Sequence, residues 1–272
     1  GNMLGADESL FKNEFVLDFS YMPKLMLYRE QQQRYIASCI APLFNNRSGK
    51  NLLIYGKPGV GKTLACLKVT EEIEEKTDEV IPIYINCWQK NTSFKISLEL
   101  CEKLGYRLTH NKKTDELFEV AKKLLNRNAV VFIFDEIDKA EDYDFLYAIL
   151  EDVHKKSIIL ITNHKEWIAT LEQRIKSRMM PDMLEFKPYS EKEAEGILQQ
   201  RVDYAFVPNV MKPEAFNKIV QKTVSMEDIR TGLHLMKEAE QHAESRSSRS
   251  IEEQDAEHAI SKIDEFNIKS SL

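Results

Sequence analysis

The segment from Gly56 to Thr63 constrains the fold of this chain more than any other. It reads Gly-Lys-Pro-Gly-Val-Gly-Lys-Thr, follows the apolar run 52–55 and precedes a segment whose apolar residues have helical spacing. A GxxxxGKT sequence between a strand and a helix is a P-loop, in which glycines let backbone N–H groups surround phosphates without interference from a Cβ atom. The positive end of the helix dipole adds to this attraction. The motif therefore predicts a nucleoside triphosphate site.

Two side chains of the motif have separate predicted roles. Lys62 is expected to reach the β- and γ-phosphates as a point charge, and the Thr63 hydroxyl is expected to ligate Mg²⁺. A chance glycine turn is the alternative, and the flanking strand and helix argue against it. The remaining residues expected to contact the nucleotide here are Gly56, Lys57, Pro58, Gly59, Val60, Gly61 and Leu64.

Two acidic residues, Asp135 and Glu136, follow the unbroken apolar run 130–134. Such a run is typical of a strand that is buried on both faces of a parallel sheet, and open sheets of this kind bind ligands at the carboxyl ends of their strands. Asp135 is predicted to hold Mg²⁺, directly or through water, and Glu136 is predicted to polarise the attacking water. The alternative is a solvated acidic turn after a core strand.

A second polar strand end is Thr162-Asn163, which follows the apolar run 158–161. An asparagine beside a phosphate site can hydrogen-bond the attacking water or the γ-phosphate. An ordinary Asx turn or helix N-cap fits the position equally well.

Composition narrows the class of protein. A length of 272 residues suits one large and one small domain, and a net charge of −6 argues against strong non-specific nucleic-acid binding by the chain as a whole, although it leaves room for a local basic surface. Four well-separated cysteines without a CxxC pair predict buried thiols in a reducing compartment. No apolar run is long enough to cross a bilayer and no signal peptide is visible, so no membrane partner and no secretion are expected.

The pattern of elements changes at Ser190. Before it, five predicted strands (52–55, 80–86, 130–134, 158–161 and 183–186) alternate with helices, and Pro82 suggests an edge position for the second strand. One short helix is predicted around 167–178. After it only helices follow, beginning with a capping box at Ser190–Glu193. The predicted divisions are a strap with an expression remnant at 1–22, an α/β domain with a parallel five-stranded sheet at 23–188, a small all-α domain at 189–266 and a tail at 267–272.

These features together resemble the AAA+ ATPases, a class of P-loop NTPases with a helical lid. Four segments are similar to the initiator branch, the archaeal and eukaryotic origin-recognition and cell-division-control proteins that load replicative helicases. The likeness covers roughly Tyr21 to Phe266, and the four segments are 21–30, 86–92, 134–139 and 173–178.

The resemblance implies roles for further residues. It implies that ATP or ADP binds with Mg²⁺ between the α/β domain, which forms the base, and the helical lid domain. It implies that Asn163 is at the family position called sensor 1. It also implies that Arg230 is at the position called sensor 2, where the lid reaches back to the γ-phosphate. It also implies an arginine that is supplied to the ATP of a neighbouring AAA+ subunit, with Arg178 as first choice and Arg174 as second. Tyr28 and Arg29 belong to the segment that is similar to the family's adenine-pocket segment, and Tyr189 and Ile197 are further residues implied to bind the nucleotide.

The sequence departs from the family at two positions beside Arg230. Glu227 stands where the family usually has glycine, and Thr231 stands where it usually has a second basic residue. The start of this helix is therefore open, and a solvated arginine is the alternative to a sensor role.

A DNA-contacting segment is implied by the stretch that resembles the initiator-specific insertion. Side chains near a helix N-terminus suit phosphate contacts, although ordinary capping by Thr92 or Ser93 is the alternative. The residues concerned are Lys90, Asn91, Thr92 and Lys95. Family members usually continue into a winged-helix domain that this chain lacks, by truncation or in nature, so double-stranded DNA is expected to bind weakly.

The function implied is the ATP-binding, slowly hydrolysing module of a replication initiator, in which nucleotide acts as an assembly switch. The expected location is the cytoplasm beside the nucleoid, or the nucleus of a eukaryote. Two alternatives stay open: an AAA+ or signalling ATPase that acts on protein, and a scaffold that holds nucleotide without turnover.

Overall fold

The computed structural model describes residues 9–270. The predicted expression remnant and the last two residues of the predicted tail lie outside the described residues. The chain divides into two compact units. The helical unit comprises Gly1–Tyr28, Pro58–Val60 and Pro188–Leu272, and the sheet unit comprises Arg29–Lys57 and Gly61–Lys187.

The sheet unit contains five parallel strands in the order β2-β3-β4-β1-β5. The strands are β1 Leu52–Tyr55, β2 Val80–Asn86, β3 Ala129–Asp135, β4 Lys156–Thr162 and β5 Asp182–Glu185. Every residue of β3 is buried, as its continuous apolar sequence predicts, and Pro82 lies on the edge strand β2, as predicted. Because all strands run parallel, their carboxyl ends meet at one edge of the sheet.

Helices cover this sheet and complete the core. They are α1 Glu30–Ile40, α2 Lys62–Lys76, α3 Ser93–Lys103, α4 Thr114–Leu125, α5 Asp144–Asp152 and α6 Gln173–Met179. Phe132 and Phe134 of β3 stack on each other, and Phe134 meets Phe145 of α5 edge to face. This aromatic packing anchors the strand that carries Asp135 to the helical layer.

The prediction of a single helix around 167–178 is wrong, because the structure divides this segment into two elements. A 3-10 turn over Lys165–Thr170 ends at Leu171, whose backbone is extended (φ −68°, ψ 148°), and α6 begins two residues later. The hydroxyl of Thr170 donates to the carbonyl of Trp167 (2.6 Å), while the side chain of Leu171 is buried in the core. Burial of this leucine favours the extended break over a continuous helix.

The helical unit packs its own core. Its helices are α7 Glu191–Ala205, α8 Pro213–Met226, α9 Ile229–Ser245 and α10 Glu253–Ser270. The predicted capping box is present, since Ser190 accepts from the N–H of Glu193 (3.2 Å) and Glu193 accepts from the N–H of Ser190 (3.0 Å). The N-terminal segment joins this core through Arg201, which donates to the carbonyl of Val16 (2.8 Å).

The four cysteines are buried and free of disulfides, as the sequence predicts. Burial raises the pKa of the Cys66 and Cys87 thiols, which therefore stay protonated and act as small apolar residues. Within residues 9–270, no helix combines the length and the apolar character that crossing a bilayer requires.

Candidate nucleotide site

The P-loop has the backbone that its glycines allow. Gly56, Gly59 and Gly61 all have positive φ (153°, 74° and 92°), a region that side chains with a Cβ rarely adopt. Residues 58–60 group with the helical unit, and inside that unit the carbonyl of Gly59 accepts from the N–H of Ile229 (3.2 Å). A Cβ at Gly59 would also collide with the carboxylate of Asp228. Glycine is required there by conformation and by space.

Lys62 is buried at the first position of α2. Its ammonium donates to the carbonyl oxygens of Gly56 and Lys57, both at 2.6 Å. Two backbone dipoles thus contact the ammonium, and a phosphate oxygen carrying full charge binds an ammonium more strongly than a carbonyl oxygen does. This arrangement fits a polyphosphate ligand.

Asp135, at the end of β3, is almost fully buried and accepts three hydrogen bonds. Its Oδ2 accepts from the hydroxyls of Thr63 and Tyr84, both at 2.6 Å, and its Oδ1 accepts from the N–H of Glu136 at 2.9 Å. A hydroxyl and a carboxylate side by side are the hard oxygen ligands that Mg²⁺ prefers. The donor set of Thr63 and Asp135 therefore fits the predicted metal.

Glu136 has a positive φ of 50° and a side chain that accepts from the amide of Asn86 at 2.9 Å. A left-handed backbone at a non-glycine residue costs about 1–3 kcal/mol and is retained where the surroundings impose it. Here the turn lets Glu136 face β2 while Asp135 ends β3.

Two residues of this site, Tyr84 and Asn86, were missed as candidates by sequence reasoning. They lie two positions apart on β2, so they share one face of the strand, and Asn86 is in register with Asp135. Burial raises the pKa of Tyr84, with the charge of Asp135 as a further cause, so its phenol remains a donor. The detectable signal was a pair of polar residues at alternate positions of an otherwise apolar strand.

Asn163 is exposed at the carboxyl end of β4, next to β1 and β3 in the sheet. The turn after β4 is closed by Thr162, whose hydroxyl accepts from the N–H of His164 (3.1 Å) and donates to Asp138 (3.0 Å). The local turn contact, which was the alternative to a phosphate-site role for Asn163, is thus made by Thr162.

Arg174 and Arg178 lie on α6 and are both held by side chains of α5. Their guanidinium carbons lie 4.2 Å and 5.3 Å from the ring centroid of Tyr147. Arg174 pairs with Asp144 (3.5 Å), and Arg178 pairs with Glu151. The two arginines share one aromatic platform at the surface of the sheet unit.

Arg230 lies in the first turn of α9, where its guanidinium forms a bidentate pair with Asp228 (2.7–3.2 Å). Asp228 also caps the helix by accepting the N–H of Arg230 (2.9 Å). The same carboxylate therefore sets both the start of α9 and the direction of the arginine.

The four residues outside the P-loop that are predicted to bind the nucleotide fall in both units. In the helical unit, Tyr28 packs against Gly196 of α7, and the next residue of α7, Ile197, is buried. Tyr189, one residue before the N-cap Ser190, is in the same unit. In the sheet unit, Arg29 is buried and donates to the carbonyl of Lys187 (2.5 Å).

The predicted DNA-contacting residues meet at the N-terminus of α3. Thr92 is the N-cap and accepts from the N–H of Lys95 (3.2 Å), so the capping alternative is realised. The ammonium of Lys95 donates to Asn91 (3.1 Å), and Lys90 pairs with Glu99 (3.5 Å).

Leu64, the last predicted P-loop residue, lies in the first turn of α2.

Comparison with known proteins decides the family. An AAA domain model matches residues 46–167, and a Cdc6 AAA+ ATPase-type lid domain model matches residues 195–261. The chain is 31% identical over 275 residues to ORC1-type DNA replication protein 1 of Archaeoglobus fulgidus, covering 95% of this chain and 67% of that protein. The chain belongs to the Orc1/Cdc6 family of DNA replication proteins.

Solved Orc1/Cdc6 structures share the fold. The Aeropyrum pernix ORC1 protein in complex with DNA superimposes with a TM-score of 0.85 at 27% identity, covering 95% of this chain and 71% of that chain. The Aeropyrum pernix ORC2 protein in its ADPNP-ADP complexes gives a TM-score of 0.79 at 19% identity over 93% and 72% of the two chains, which shows the fold alone. The resemblance and the fold class predicted from sequence are therefore confirmed. As an AAA+ module of a replication initiator, the chain belongs to a class that binds nucleotide and acts as an ATPase.

Proposed function

We propose that this module binds ATP with Mg²⁺ at Gly56–Leu64, hydrolyses it slowly, and uses the nucleotide state to control assembly on DNA. The observation that carries the proposal is the contact between the Thr63 hydroxyl and the buried carboxylate of Asp135 (2.6 Å), next in sequence to the buried Lys62. Two polar groups of α2 thus lie beside a buried carboxylate at the end of an apolar strand, an arrangement that matches the chemistry of a metal-bound polyphosphate.

The chain's residues divide the work of the proposed reaction. Lys62 would bind the β- and γ-phosphates, while Thr63 and Asp135 would hold Mg²⁺, which supplies charge neutralisation when bound. Glu136 would orient water and accept its proton, for which its carboxylate must turn from the Asn86 amide. Asn163 and Arg230 would contact the γ-phosphate, and Arg230 would first have to exchange the Asp228 carboxylate for it.

The partners proposed are duplex DNA and other AAA+ subunits. A related protein, Aeropyrum pernix ORC1, is known in complex with DNA, and the N-terminus of α3 offers this chain Lys90, Asn91, Thr92 and Lys95 for phosphate contacts. Arg178, or Arg174 as second choice, would act on the nucleotide of a neighbouring subunit. A site beside DNA, in the nucleoid or nucleus, follows from this role.

Two substitutions test the proposed reaction separately. Lys62→Ala removes the phosphate-binding cation and should weaken Mg-ATP binding at least tenfold, since a charge-assisted hydrogen bond contributes about 1.5–3 kcal/mol. Glu136→Gln should keep binding and reduce single-turnover hydrolysis about 10²–10⁴-fold, the usual contribution of a general base. Lys76→Ala, at the far end of the same helix, is the matched control and should change neither.

The outcomes distinguish the alternatives. Unchanged ATP uptake in Lys62→Ala, measured by titration calorimetry, would contradict the proposed site. Unchanged single-turnover hydrolysis in Glu136→Gln would instead favour a scaffold that holds nucleotide without turnover.

A further inference from the structure

Tyr84 contacts the proposed magnesium site, and the proposed reaction gives it no role. Its side chain is part-buried on β2, the strand adjacent to β3. Its hydroxyl donates to Oδ2 of Asp135 at 2.6 Å, as short as the bond from Thr63 to the same atom. A buried tyrosine hydroxyl usually finds a hydrogen-bond partner, and here that partner is a proposed metal ligand.

The hydrogen bonds around Asp135 fix both of its oxygens. The N–H of Glu136 holds Oδ1, and the two hydroxyls hold Oδ2, so rotation of the carboxylate about its Cβ–Cγ bond is blocked from both ends. The two oxygens of a carboxylate offer about four lone-pair sites, so these three donors leave room on Asp135 for an ion or for a water bound to it.

Thr63 and Tyr84 differ in what they can keep doing once an ion is held. The Thr63 hydroxyl would direct a lone pair at the metal while its O–H could still donate to Asp135, so the orientation of this hydroxyl would be tied to the ion. Tyr84, on β2, has no proposed bond to the metal, and its donation to Asp135 would not depend on the ion. Tyr84 would therefore orient the carboxylate independently of the metal.

We propose that Tyr84 is a positioning residue for the metal, which acts through Asp135 to set the orientation in which the carboxylate receives Mg²⁺. This inference rests on the proposed function, because it assumes that nucleotide binds with Mg²⁺ at Thr63 and Asp135. Outer partners of metal ligands typically change metal affinity about 10–100-fold when they are removed.

The test is Tyr84→Phe, which deletes the hydroxyl and keeps the ring. Binding of a fluorescent ADP analogue is measured as Mg²⁺ is titrated, and again in excess EDTA. We expect the Mg²⁺ concentration for half-maximal effect to rise about 10–100-fold, with affinity in EDTA unchanged. Tyr35→Phe is the matched control, since its hydroxyl makes an equivalent bond to Asp182 (2.7 Å) away from the loop, and it should leave both values unchanged.

A second measurement separates positioning from general support of the fold. If Tyr84 acts through the Asp135 carboxylate, Tyr84→Phe should add no further change to the Mg²⁺ dependence in an Asp135→Asn background. An additional shift in that background, an unchanged Mg²⁺ midpoint in Tyr84→Phe, or a loss of ADP binding in EDTA would each overturn the inference. A wild-type chain whose nucleotide binding ignores Mg²⁺ would instead contradict the proposed function itself.

Discussion

Glu227, at the position where the family resemblance implies glycine, adopts a left-handed backbone (φ 55°) at the end of α8. The backbone conformation that a glycine would adopt is therefore present at this glutamate, with Asp228 capping α9 one residue later. The start of α9 is thus set by the Asp228 cap rather than by the residue at 227. The strain of the left-handed conformation remains, at roughly 1–2 kcal/mol for a residue with a Cβ.

A pair of substitutions should expose this strain. Glu227→Gly and Glu227→Ala both delete the side chain and its contacts, but only glycine relieves the backbone. Part of the gain is offset by the greater entropy of glycine in the unfolded chain. We expect Glu227→Gly to be more stable than Glu227→Ala by about 1 kcal/mol in urea unfolding. Equal stability of the two would show that the left-handed conformation is not imposed in solution.

Glu240 is a buried carboxyl on α9 whose Oε1 accepts from the N–H of Leu10 (3.3 Å). Its Oε2 has no hydrogen-bond partner among the described residues. Burial raises the pKa of Glu240 from 4.5 to about 8, and the nearby Glu244 and Glu14 add to the shift. The folded state therefore holds a proton that the unfolded state releases.

The sign of the pH dependence follows from this difference. Between about pH 5 and pH 8 the folded chain binds more protons at Glu240, so its free energy of unfolding falls as pH rises, by at most about 1.4 kcal/mol per unit. Glu240→Gln should flatten this decline in denaturant unfolding measured across the range. In Glu238→Gln the decline should persist, because Lys262 lowers the pKa of Glu238 and its titration lies below the window. A decline that is identical in Glu240→Gln would refute the assignment.

At the scale of the element, α3 combines a structural cap with a proposed DNA contact. Thr92→Ala removes the cap and should cost about 1 kcal/mol of stability. Thr92→Asp retains a capping oxygen and adds negative charge, so we expect unchanged stability and weaker duplex binding with a shallower salt dependence. The two substitutions thereby separate the cap from the contact.

The control for added charge is Asn13→Asp, at the cap of a 3-10 turn in the helical unit. It should leave duplex affinity unchanged. If Thr92→Asp binds duplex DNA as tightly as wild type does at low salt, α3 is not part of the DNA-binding surface of this chain. A wild-type chain without salt-dependent duplex binding would favour action on a protein partner.

At the scale of the whole molecule, the proposed arginine in trans predicts complementation between inactive chains. Glu136→Gln lacks its own water-orienting group but keeps Arg178, whereas Arg178→Ala keeps its own site. Each alone should hydrolyse ATP slowly, and their mixture should regain activity, because an arginine supplied in trans contributes about 10³–10⁵-fold. A mixture of Arg178→Ala with the double variant Glu136→Gln/Arg178→Ala should show no gain in ATP hydrolysis. Dilute wild-type turnover near 10 s⁻¹ would contradict a dependence on neighbours.

Much of this molecule was predictable from local pattern. The strand positions of β1 to β4 and the capped start of α7 follow from apolar runs and short-range capping rules, since these depend on neighbouring residues. The interruption at Leu171 was not, because it depends on a distant core that buries this side chain.

The phosphate-binding loop, the acidic strand end and the family could be identified from the sequence alone, because each depends on contiguous residues whose chemistry is local. The side chains that orient those groups could be identified only from the folded sheet. Tyr84 and Asn86 reach Asp135 and Glu136 because β2 pairs with β3 in a register that brings residues about fifty positions apart into hydrogen-bonding distance. Such pairing depends on the packing of the whole sheet, which is built from segments far apart in the chain, so it cannot be inferred from any one of them.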